Sequence, residues 1–348
     1  MATRPTLDTV AARARVSRQT VSNVVNAPHL VTQETATRVR AAIDDLKYRP
    51  SRAARQLRTN RSMLLGLRLE PDRGGINGAV LDRFLHGVVE AAQAASYGVV
   101  VFTAHDDEAE IHSYEALLGS CEADGFLLTS THRGDPRTSW LAERGVPFST
   151  FGRPWGTADE HHSWVDVDGA AGVRAAVTHL VELGHRRVGF IGWPKGSGVG
   201  DDRRSGWSAA VRAAGLPADR SLQALVEDGV SQGRRAAERL LAHKTPPTAL
   251  VCSSDSLALG AHAVDPAIAV TGFDDTPVAR AVGLSSVAQP LVEAAAACVQ
   301  QVLDVIHGRA LASQQVLLPP TFTVRQPTVR QSTVRQSTTP APAATGDR

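Results

Sequence analysis

The chain has 348 residues, of which 43% are hydrophobic and 21% charged, a composition typical of a globular protein. At about 100–200 residues per domain, this length predicts two or three domains. No apolar run reaches the ~18 residues of a membrane span and the N-terminus has no apolar signal segment, so we expect a cytoplasmic protein that makes no membrane contact. Cys121, Cys252 and Cys298 are too few and too far apart for a disulfide framework or a zinc site, and we expect all three to be buried thiols.

The charge is divided unevenly along the chain. Residues 1–61 hold 12 Lys and Arg against 4 Asp and Glu, a net charge of +8. The other 287 residues hold 25 against 31, a net charge of −6. A basic segment on a slightly acidic remainder indicates a module that binds phosphate groups, as DNA-binding domains do.

Two short helices are predicted near the N-terminus. Thr6 caps the first, which ends near Ala14, and a tight turn at residues 15–16 leads to a second helix that begins after a Ser17 cap and reaches Asn26. This arrangement is typical of the helix-turn-helix, whose second helix enters a major groove of DNA. The alternative is an ordinary helical hairpin, but the basic charge favours the DNA-binding motif.

A third helix is predicted to complete this head. Thr32 begins it, and Val39, Ile43 and Leu46 have the spacing of one apolar helical face, which would cover the first two helices. It ends before Pro50, because the residue that precedes a proline is disfavoured in a helix. Residues 1–50 are therefore assigned to a small all-α DNA-binding head.

Residues 51–61 are predicted to form a hinge helix and linker. The segment 51–58 begins with a serine cap and is rich in arginine. A helix this short is unstable alone in water. We expect it to form only where a partner copy or DNA holds it.

From residue 62 to residue 322 the pattern changes to alternating strands and helices, typical of parallel sheets covered on both faces. Strands are predicted at 63–69, 99–102, 125–128, 147–151, 188–192, 249–252 and 267–271, and helices at 80–96, 170–183, 203–214, 232–243 and 291–306. Seven or more such units form two sheets more naturally than one. The fold class is thus an α/β body of two parallel-sheet subdomains.

A five-residue repeat begins the C-terminal tail. The sequence Thr-Val-Arg-Gln starts at Thr323, Thr328 and Thr333 and is followed by Thr, Pro and Ala. Such a segment buries too little apolar surface to order itself, so residues 323–348 are predicted to be a disordered extension. Its arginines would add weak, nonspecific affinity for DNA.

Residues 5–326 resemble the lactose/galactose repressor (LacI/GalR) family of bacterial transcription factors. In the head the matching motifs are TLDTVA (6–11), VSRQTVS (16–22), Asn26 and YRPSRAARQL (48–57). In the body they are LGHRRVGFI (183–191), RxxGW (203–207), DSLALG (255–260) and GFDD (272–275). The resemblance implies a periplasmic-binding-protein-like body with a ligand cleft between its two subdomains, and a homodimer that represses genes by binding a pseudo-palindromic operator.

The resemblance and the side-chain chemistry together predict the DNA contacts. Arg18 suits guanine, and Gln19 and Asn23 suit adenine, although family members often have Arg where Asn23 stands. The side chains expected to hydrogen-bond phosphates are Thr6, Ser17, Thr20, Ser22 and Asn26. Leu57 matches the family's hinge helix, where it would open a base step in the minor groove; alternatively, it packs on the body.

The effector is expected to lie beyond the carboxyl ends of the strands, as ligands do in parallel sheets. The predicted contacts are Glu70, Phe151, Arg153, Trp193, Arg203, Ser254, Asp274 and Gln289. Arg203 and Asp274 match family positions that hydrogen-bond the effector, and Ser254 replaces the usual Asn. Tryptophans at 155, 164, 193 and 207 favour stacking on a sugar ring, although core packing is the commoner task of a Trp. A sugar or glycoside that releases the operator is the expected effector, with a non-sugar corepressor as the alternative.

Two other function classes fit parts of the sequence. A nucleotide-binding enzyme is suggested by Gly-Ser-Gly-Val-Gly at 196–200, but the spacing fits no phosphate-binding fingerprint and no nucleophile elbow is present. His161 and His162 are expected in a solvated loop rather than at a metal. A sugar receptor would fit the body alone, but not the basic head. We therefore expect no catalytic residue, no cofactor and no metal site.

Two departures from the family bear on assembly. The segment between Asp255 and Gly272 is short and leaves only residues 257–264 for a helix that borders the dimer interface in relatives, so dimer contacts there are expected to be reduced. No leucine heptad follows Leu318, and nothing therefore favours a tetramer.

Overall fold

The computed structural model describes residues 5–48, 61–70, 78–156, 162–310 and 314–325. The first range is a head of three helices, α1 (Leu7–Ala14), α2 (Arg18–Asn26) and α3 (Gln33–Asp45), with a 3₁₀ turn at Pro28–Leu30. Their apolar faces share a small core, in which Val10, Val21 and Val39 are fully buried. The helical head expected from the sequence is confirmed.

Local capping fixes the turn between α1 and α2. The Thr6 hydroxyl accepts the backbone N–H of Thr9 at 3.3 Å, and the Thr9 hydroxyl accepts that of Thr6 at 2.8 Å, a reciprocal capping box. Arg15 ends α1 in the left-handed conformation, with φ of 53°. The Ser17 hydroxyl then caps α2 by accepting the N–H of Thr20 at 3.0 Å. One such cap stabilises a helix by about 1 kcal/mol.

The first subdomain of the body is built on a parallel sheet in the order β11-β5-β4-β3-β1-β2. Its strands are β1 (Leu64–Leu69), β2 (Gly98–Thr103), β3 (Gly125–Leu128), β4 (Phe148–Phe151), β5 (Trp164–Val167) and β11 (Gln315–Leu318). Its helices are α4 (Gly78–Ala94), α5 (Asp107–Gly119), α6 (Pro136–Glu143) and α12 (Leu291–Ile306). Side chains of α4, α12 and the central strands form its main core.

The second subdomain has a sheet in the order β12-β10-β9-β8-β6-β7, in which β12 alone runs antiparallel to its neighbour. Its strands are β6 (Val188–Gly192), β7 (Gln223–Leu225), β8 (Ala249–Cys252), β9 (Ala269–Phe273), β10 (Ser285–Ala288) and β12 (Thr321–Thr323). Its helices are α7 (Gly169–Glu182), α8 (Gly198–Ala213), α9 (Val230–Leu241), α10 (Asp255–His262) and α11 (Pro277–Ala281).

The chain crosses between the two sheets three times. It leaves the first sheet after β5, returns through α12 after β10, and leaves again after β11. Each subdomain is therefore assembled from separate stretches of chain. Because all strands except β12 are parallel, the carboxyl ends of the strands in each sheet lie at one edge, where ligands bind in such folds.

Several boundaries differ from the sequence predictions. The body was predicted to end at residue 322, but Thr323 in β12 pairs with Ser286 in β10, so the second sheet includes the start of the first repeat. The short helix predicted at 257–264 is α10, two residues earlier. Cys121 was expected to be buried and is exposed, whereas Cys252 and Cys298 are buried as expected.

Parts of the predicted architecture lie outside the described residues. These are the hinge segment 51–58 with Leu57, and the tail from residue 326 onward. The domain boundary at 50–51 therefore stays a prediction. Among the helices that are described, none is both long and apolar enough to span a membrane.

Candidate DNA-binding helix and effector cleft

The residues predicted to contact DNA gather at α2 and its cap. Three are exposed and three half-buried: Ser17, Arg18 and Gln19, then Thr20, Ser22 and Asn23. Gln19 Nε2 donates to Asn23 Oδ1 at 2.9 Å, so these two amides lie side by side, one helical turn apart. Arg18 Nε lies 3.9 Å from Asp8 Oδ1 in a largely exposed ion pair, which at about 0–1 kcal/mol leaves the guanidinium available to another partner.

The other predicted DNA contacts fall elsewhere. Thr6 caps α1 and lies at the start of the motif rather than on α2. The side chain of Asn26, the last residue of α2, and the whole of Leu57 lie outside the described residues.

On the first subdomain, Glu70 follows β1 at the carboxyl edge of the sheet. Arg68 Nη2 donates to Glu70 Oε1 at 2.6 Å, and Thr129 Oγ1 donates to the same oxygen at 3.0 Å. Burial acts to raise the pKa of Glu70, but hydrogen bonds from Arg68, Ser130 and Thr129 outweigh it and lower the pKa below its ordinary value. Glu70 is therefore a carboxylate at neutral pH.

Behind Glu70 lies a buried ionic network. Arg68 Nη1 lies 2.9 Å from Glu110 Oε2, and Arg137 Nη1 donates to the same oxygen at 2.7 Å. Arg137 also donates to both carboxylate oxygens of Asp135, at 2.9 and 2.6 Å. Tyr114 donates to Glu110 Oε1 at 2.5 Å. The charges of this wall are thus largely neutralised within the protein.

Arg153 and Trp155 follow β4 and reach the second subdomain. Arg153 Nε donates to Asp166 Oδ2 at 2.5 Å, and its Nη2 lies 3.6 Å from Asp202 Oδ2 on α8. The Arg153 Cζ lies 4.9 Å from the centre of the Trp155 ring. Trp155 packs directly on Gly198, where a Cβ would collide with the indole. The glycine-rich segment therefore receives an aromatic ring from the opposite subdomain.

The second subdomain contributes Arg203, which is 5% exposed and lies on α8. Its Nη1 donates to the Ser253 carbonyl at 2.6 Å, and its Cζ lies 3.6 Å from the centre of the Phe273 ring. Burial lowers the pKa of Arg203, although Asp274 and other carboxylates oppose the shift. Within the part of the chain that the structure describes, Arg203 Nε and Ser253 Oγ are buried without a hydrogen-bond partner. A ligand would satisfy both.

Asp274 lies directly after β9, with its Oδ1 3.8 Å from Arg203 Nη2. Gln289 Nε2 donates to the same Asp274 oxygen at 2.7 Å. Burial raises the pKa of Asp274 to about 7, against the influence of Arg203 and Gln289. Its φ of 106° is rare for a residue with a side chain and costs about 1–3 kcal/mol. Residues with such strained backbones are found most often at functional sites.

Sequence reasoning missed a carboxylate that joins two predicted contacts. Asp228, three residues after β7, accepts from Ser254 Oγ at 2.5 Å and from Trp193 Nε1 at 3.0 Å. Ser254 also caps α10 by accepting the N–H of Leu257 at 3.2 Å. Asp228 follows a strand of only three residues, and the apolar pattern of the sequence is too short there to predict that strand.

The structure thus brings most of the predicted effector contacts to the facing edges of the two sheets. Phe151 instead stacks on Phe84, with ring centres 4.4 Å apart, and supports the first subdomain's core. Trp207 is fully buried against Phe190 and is a core residue, not a sugar platform. His162 is half-buried against Phe148 rather than in a solvated loop, and His161 lies outside the described residues.

A helix-turn-helix head attached to a two-subdomain body with a polar cleft defines a DNA-binding transcriptional regulator with a ligand-binding domain. Family models support both parts. Residues 6–51 match the bacterial regulatory proteins of the lacI family, and residues 177–328 match the periplasmic binding protein-like domain.

Two characterised relatives match over nearly their whole length. The transcriptional regulator CelR of Thermobifida fusca is 32% identical over 337 residues, which cover 93% of this chain and 98% of CelR. The transcriptional repressor PurR of Klebsiella pneumoniae (strain 342) is 28% identical over 333 residues, covering 92% and 96%. The chain therefore belongs to the LacI family, whose members are transcriptional regulators and not enzymes.

Solved structures agree with this assignment. A CelR–cellobiose complex has a TM-score of 0.69 and 31% identity and covers 92% of this chain and 99% of its own. A LacI-family regulator from Chloroflexus aggregans has a TM-score of 0.72 and 34% identity, covering 76% and 97%. The Lac repressor dimer bound to operator and an anti-inducer has a TM-score of 0.78 at 24% identity, covering 94% and 100%, a likeness of fold alone.

Proposed function

We propose that this regulator represses carbohydrate-utilisation genes and releases its operator when a neutral sugar or glycoside binds in the cleft. The observation that carries this proposal is the pair of buried polar atoms that have no hydrogen-bond partner among the described residues, Arg203 Nε and Ser253 Oγ, beside the carboxyl group of Asp274. A guanidinium, a hydroxyl and a carboxyl group in one pocket suit the hydroxyl groups of a sugar. Trp193, whose ring centre lies 5.1 Å from the Arg203 Cζ, adds an apolar face.

The charges around the cleft favour an uncharged ligand. Five carboxyl groups and three guanidinium groups lie there: Glu70, Asp166, Asp202, Asp228 and Asp274, with Arg68, Arg153 and Arg203. Because burial raises the pKa of Asp274 to about 7 and also raises that of Asp202, the carboxylate and guanidinium charges nearly balance, and no net positive charge is left to attract an anionic effector. The relative whose structure contains cellobiose supports the same ligand class.

The head is proposed to bind a pseudo-palindromic operator as part of a homodimer, with Arg18, Gln19 and Asn23 at base edges and Thr6, Ser17, Thr20, Ser22 and Asn26 at phosphates. The support is the position of most of these side chains at α2 and its cap, together with the excess of positive charge in residues 1–61. Leu57 stays the proposed minor-groove wedge. We place the site of action in the cytoplasm, where bacterial operators lie.

Operator titration tests the division between base and phosphate contacts. Arg18→Ala should weaken specific binding by about 1–3 kcal/mol and relax the preference at one base pair per half-site. Thr20→Ala should weaken binding to specific and random DNA about equally. Deletion of residues 1–61 should abolish operator binding. Equal losses on both DNAs for both substitutions would contradict the proposed roles.

A thermal-shift screen with cellobiose and other mono- and disaccharides tests the effector class, because a ligand of the native state raises its stability. Operator titration with each stabilising sugar then gives the sign of the response. Release of DNA supports induction. Tighter DNA binding would instead indicate a corepressor, and the absence of stabilisation by every sugar would refute the sugar proposal.

A further inference from the structure

Arg325, the last residue that the structure describes, contacts the turn that carries Asp274. Arg325 lies two residues beyond β12 and is joined to the segment between β9 and β10. Its Nη1 lies 2.5 Å from Asp275 Oδ1 and donates to the Leu284 carbonyl at 3.0 Å. The Arg325 backbone N–H donates to Ser285 Oγ at 2.9 Å. The C-terminal strand thus ends on the back of the proposed effector site.

The turn needs such support because two consecutive residues in it are held in unfavourable conformations. Asp274 has φ of 106° and Asp275 has φ of 50°, both in the region that residues with side chains rarely adopt. Such conformations persist only where surrounding contacts impose them. The Asp274 N–H donates to the Val287 carbonyl at 2.8 Å, and the Asp275 N–H donates to Ser286 Oγ at 3.0 Å.

The carboxyl group of Asp275 is one of the points at which side chains hold this turn; another is Asp255 Oδ2, which accepts the backbone N–H of Thr276 at 2.7 Å. It is 6% exposed and lies between two guanidinium groups, those of Arg325 and Arg280. The Arg280 side chain is 49% exposed, whereas that of Arg325 is 21% exposed and also bonds the Leu284 carbonyl. Arg280 Nε donates a hydrogen bond to Asp275 Oδ2 at 3.0 Å, whereas Arg325 makes an ion-pair contact with Oδ1, which has no hydrogen-bond partner among the described residues. Arg280 belongs to the same segment between β9 and β10, so its bond is local. Arg325 comes from outside that segment and also bonds Leu284 and Ser285, and we therefore expect it to tie the turn to the C-terminal strand.

We propose that Arg325 is a positioning residue for the effector site. By holding Asp275, it keeps the turn in the conformation that directs Asp274 toward Arg203 and Gln289. This inference rests on the proposed role of Asp274 in effector binding. The first copy of the C-terminal repeat would thus support effector binding, a role that we do not assign to the later copies.

The repeat itself supplies matched controls. Arg325 and Arg330 have the same sequence context, Thr-Val-Arg-Gln, but Arg325 is the one that follows Phe322. Deletion of residues 323–327 joins Phe322 to Thr328 and restores the sequence Thr-Phe-Thr-Val-Arg-Gln. Arg330 should then occupy the position of Arg325. The deletion changes the chain length but leaves this contact intact.

The first measurement is residue-resolved amide hydrogen exchange on the full-length chain without ligand. Arg325→Ala should speed exchange at Asp274 and Asp275 by about tenfold or more, since the local opening becomes easier. Arg325→Lys should restore part of the protection through its charge. Arg330→Ala and the deletion of 323–327 should exchange like the unmodified chain.

The second measurement is operator release by cellobiose, with operator affinity measured separately. Arg325→Ala should raise the cellobiose concentration for half-release by about tenfold or more, with little change in operator affinity. Arg330→Ala and the five-residue deletion should respond normally. A weaker response to cellobiose with unchanged operator affinity would not result from a general loss of folding, which would lower both.

The outcomes separate this inference from the proposed function. Faster exchange throughout the second subdomain of Arg325→Ala, or a deletion variant that behaves like it, would overturn the positioning role. Faster exchange at the turn with unchanged cellobiose response would also overturn it. If the unmodified chain ignores cellobiose, the proposed effector is wrong, and the exchange rates still decide whether Arg325 holds the turn.

Discussion

Arg137 and Arg203 are both buried arginines, one in each subdomain, and their surroundings differ. All three nitrogens of Arg137 donate hydrogen bonds, to Asp135, Glu110 and two backbone carbonyls, and despite the opposing effect of burial these partners raise its pKa. Among the described residues Arg203 has one hydrogen bond, to the Ser253 carbonyl, and its buried Nε has no partner; burial lowers its pKa. Burial alone therefore does not mark a ligand site. Arg203 differs from Arg137 in its unused hydrogen-bonding capacity, which is the reason for proposing that it contacts the effector.

The largest expected effect on stability comes from replacing Arg137, whose side-chain nitrogens all donate hydrogen bonds. Arg137→Met leaves Asp135 buried without its counter-charge and Glu110 with Arg68 alone, and loss of one partner from such a network costs about 3–5 kcal/mol. Urea denaturation should show this loss in the free energy of unfolding. Arg174→Met is the control, because its exposed ion pair with Asp168, at 3.7 Å, is worth at most about 1 kcal/mol. Equal losses of unfolding free energy in the two variants would show that the buried network contributes no more than an exposed ion pair.

The same substitution at Arg203 should have a smaller effect on stability and a larger one on ligand response. Arg203→Met keeps apolar contact with Phe273 and Trp193 and removes the unpartnered Nε. We expect a loss of about 2 kcal/mol or less. Stabilisation by cellobiose in a thermal-shift assay should disappear. A retained shift would show that Arg203 does not contact this sugar.

Asp274 gives the cleft wall a pH dependence. Since burial raises its pKa to about 7, the contribution of the protonated group to stability is full below the unfolded value of about 3.9 and is lost as pH rises through 7. The free energy of unfolding should therefore fall more between pH 5 and 8 in the unmodified chain than in Asp274→Asn. Urea denaturation at several pH values measures this slope. The exposed Asp219→Asn variant should keep the slope unchanged.

The smallest expected effect is at Ser253. Its hydroxyl has no hydrogen-bond partner in the described ranges, so Ser253→Ala should change the free energy of unfolding by about 0.5 kcal/mol or less. The affinity for cellobiose should fall by about 2–10-fold if the hydroxyl bonds the sugar. Isothermal titration measures the affinity. A stability loss as large as that of Arg203→Met would mean that Ser253 is structural.

The sequence predicted those features whose interacting residues lie close together along the chain. Thr6 and Ser17 were recognised as caps because capping involves residues three apart, and the apolar runs of the longer strands were clear. Asp228 and Arg325 were missed because their partners, Ser254 and Asp275, lie 26 and 50 residues away along the chain. Trp207 shows the same limit, since sequence alone does not distinguish a core tryptophan from one in a cleft.

The exposure of Cys121 gives the protein a built-in labelling position. Cys252 and Cys298 are buried, and burial raises the pKa of the Cys298 thiol to about 12, so neither forms the thiolate that maleimides attack at neutral pH. Cys121 lies two residues beyond the end of α5, in the first subdomain. A fluorophore attached there, without any substitution, would follow that subdomain as sugar and operator are added.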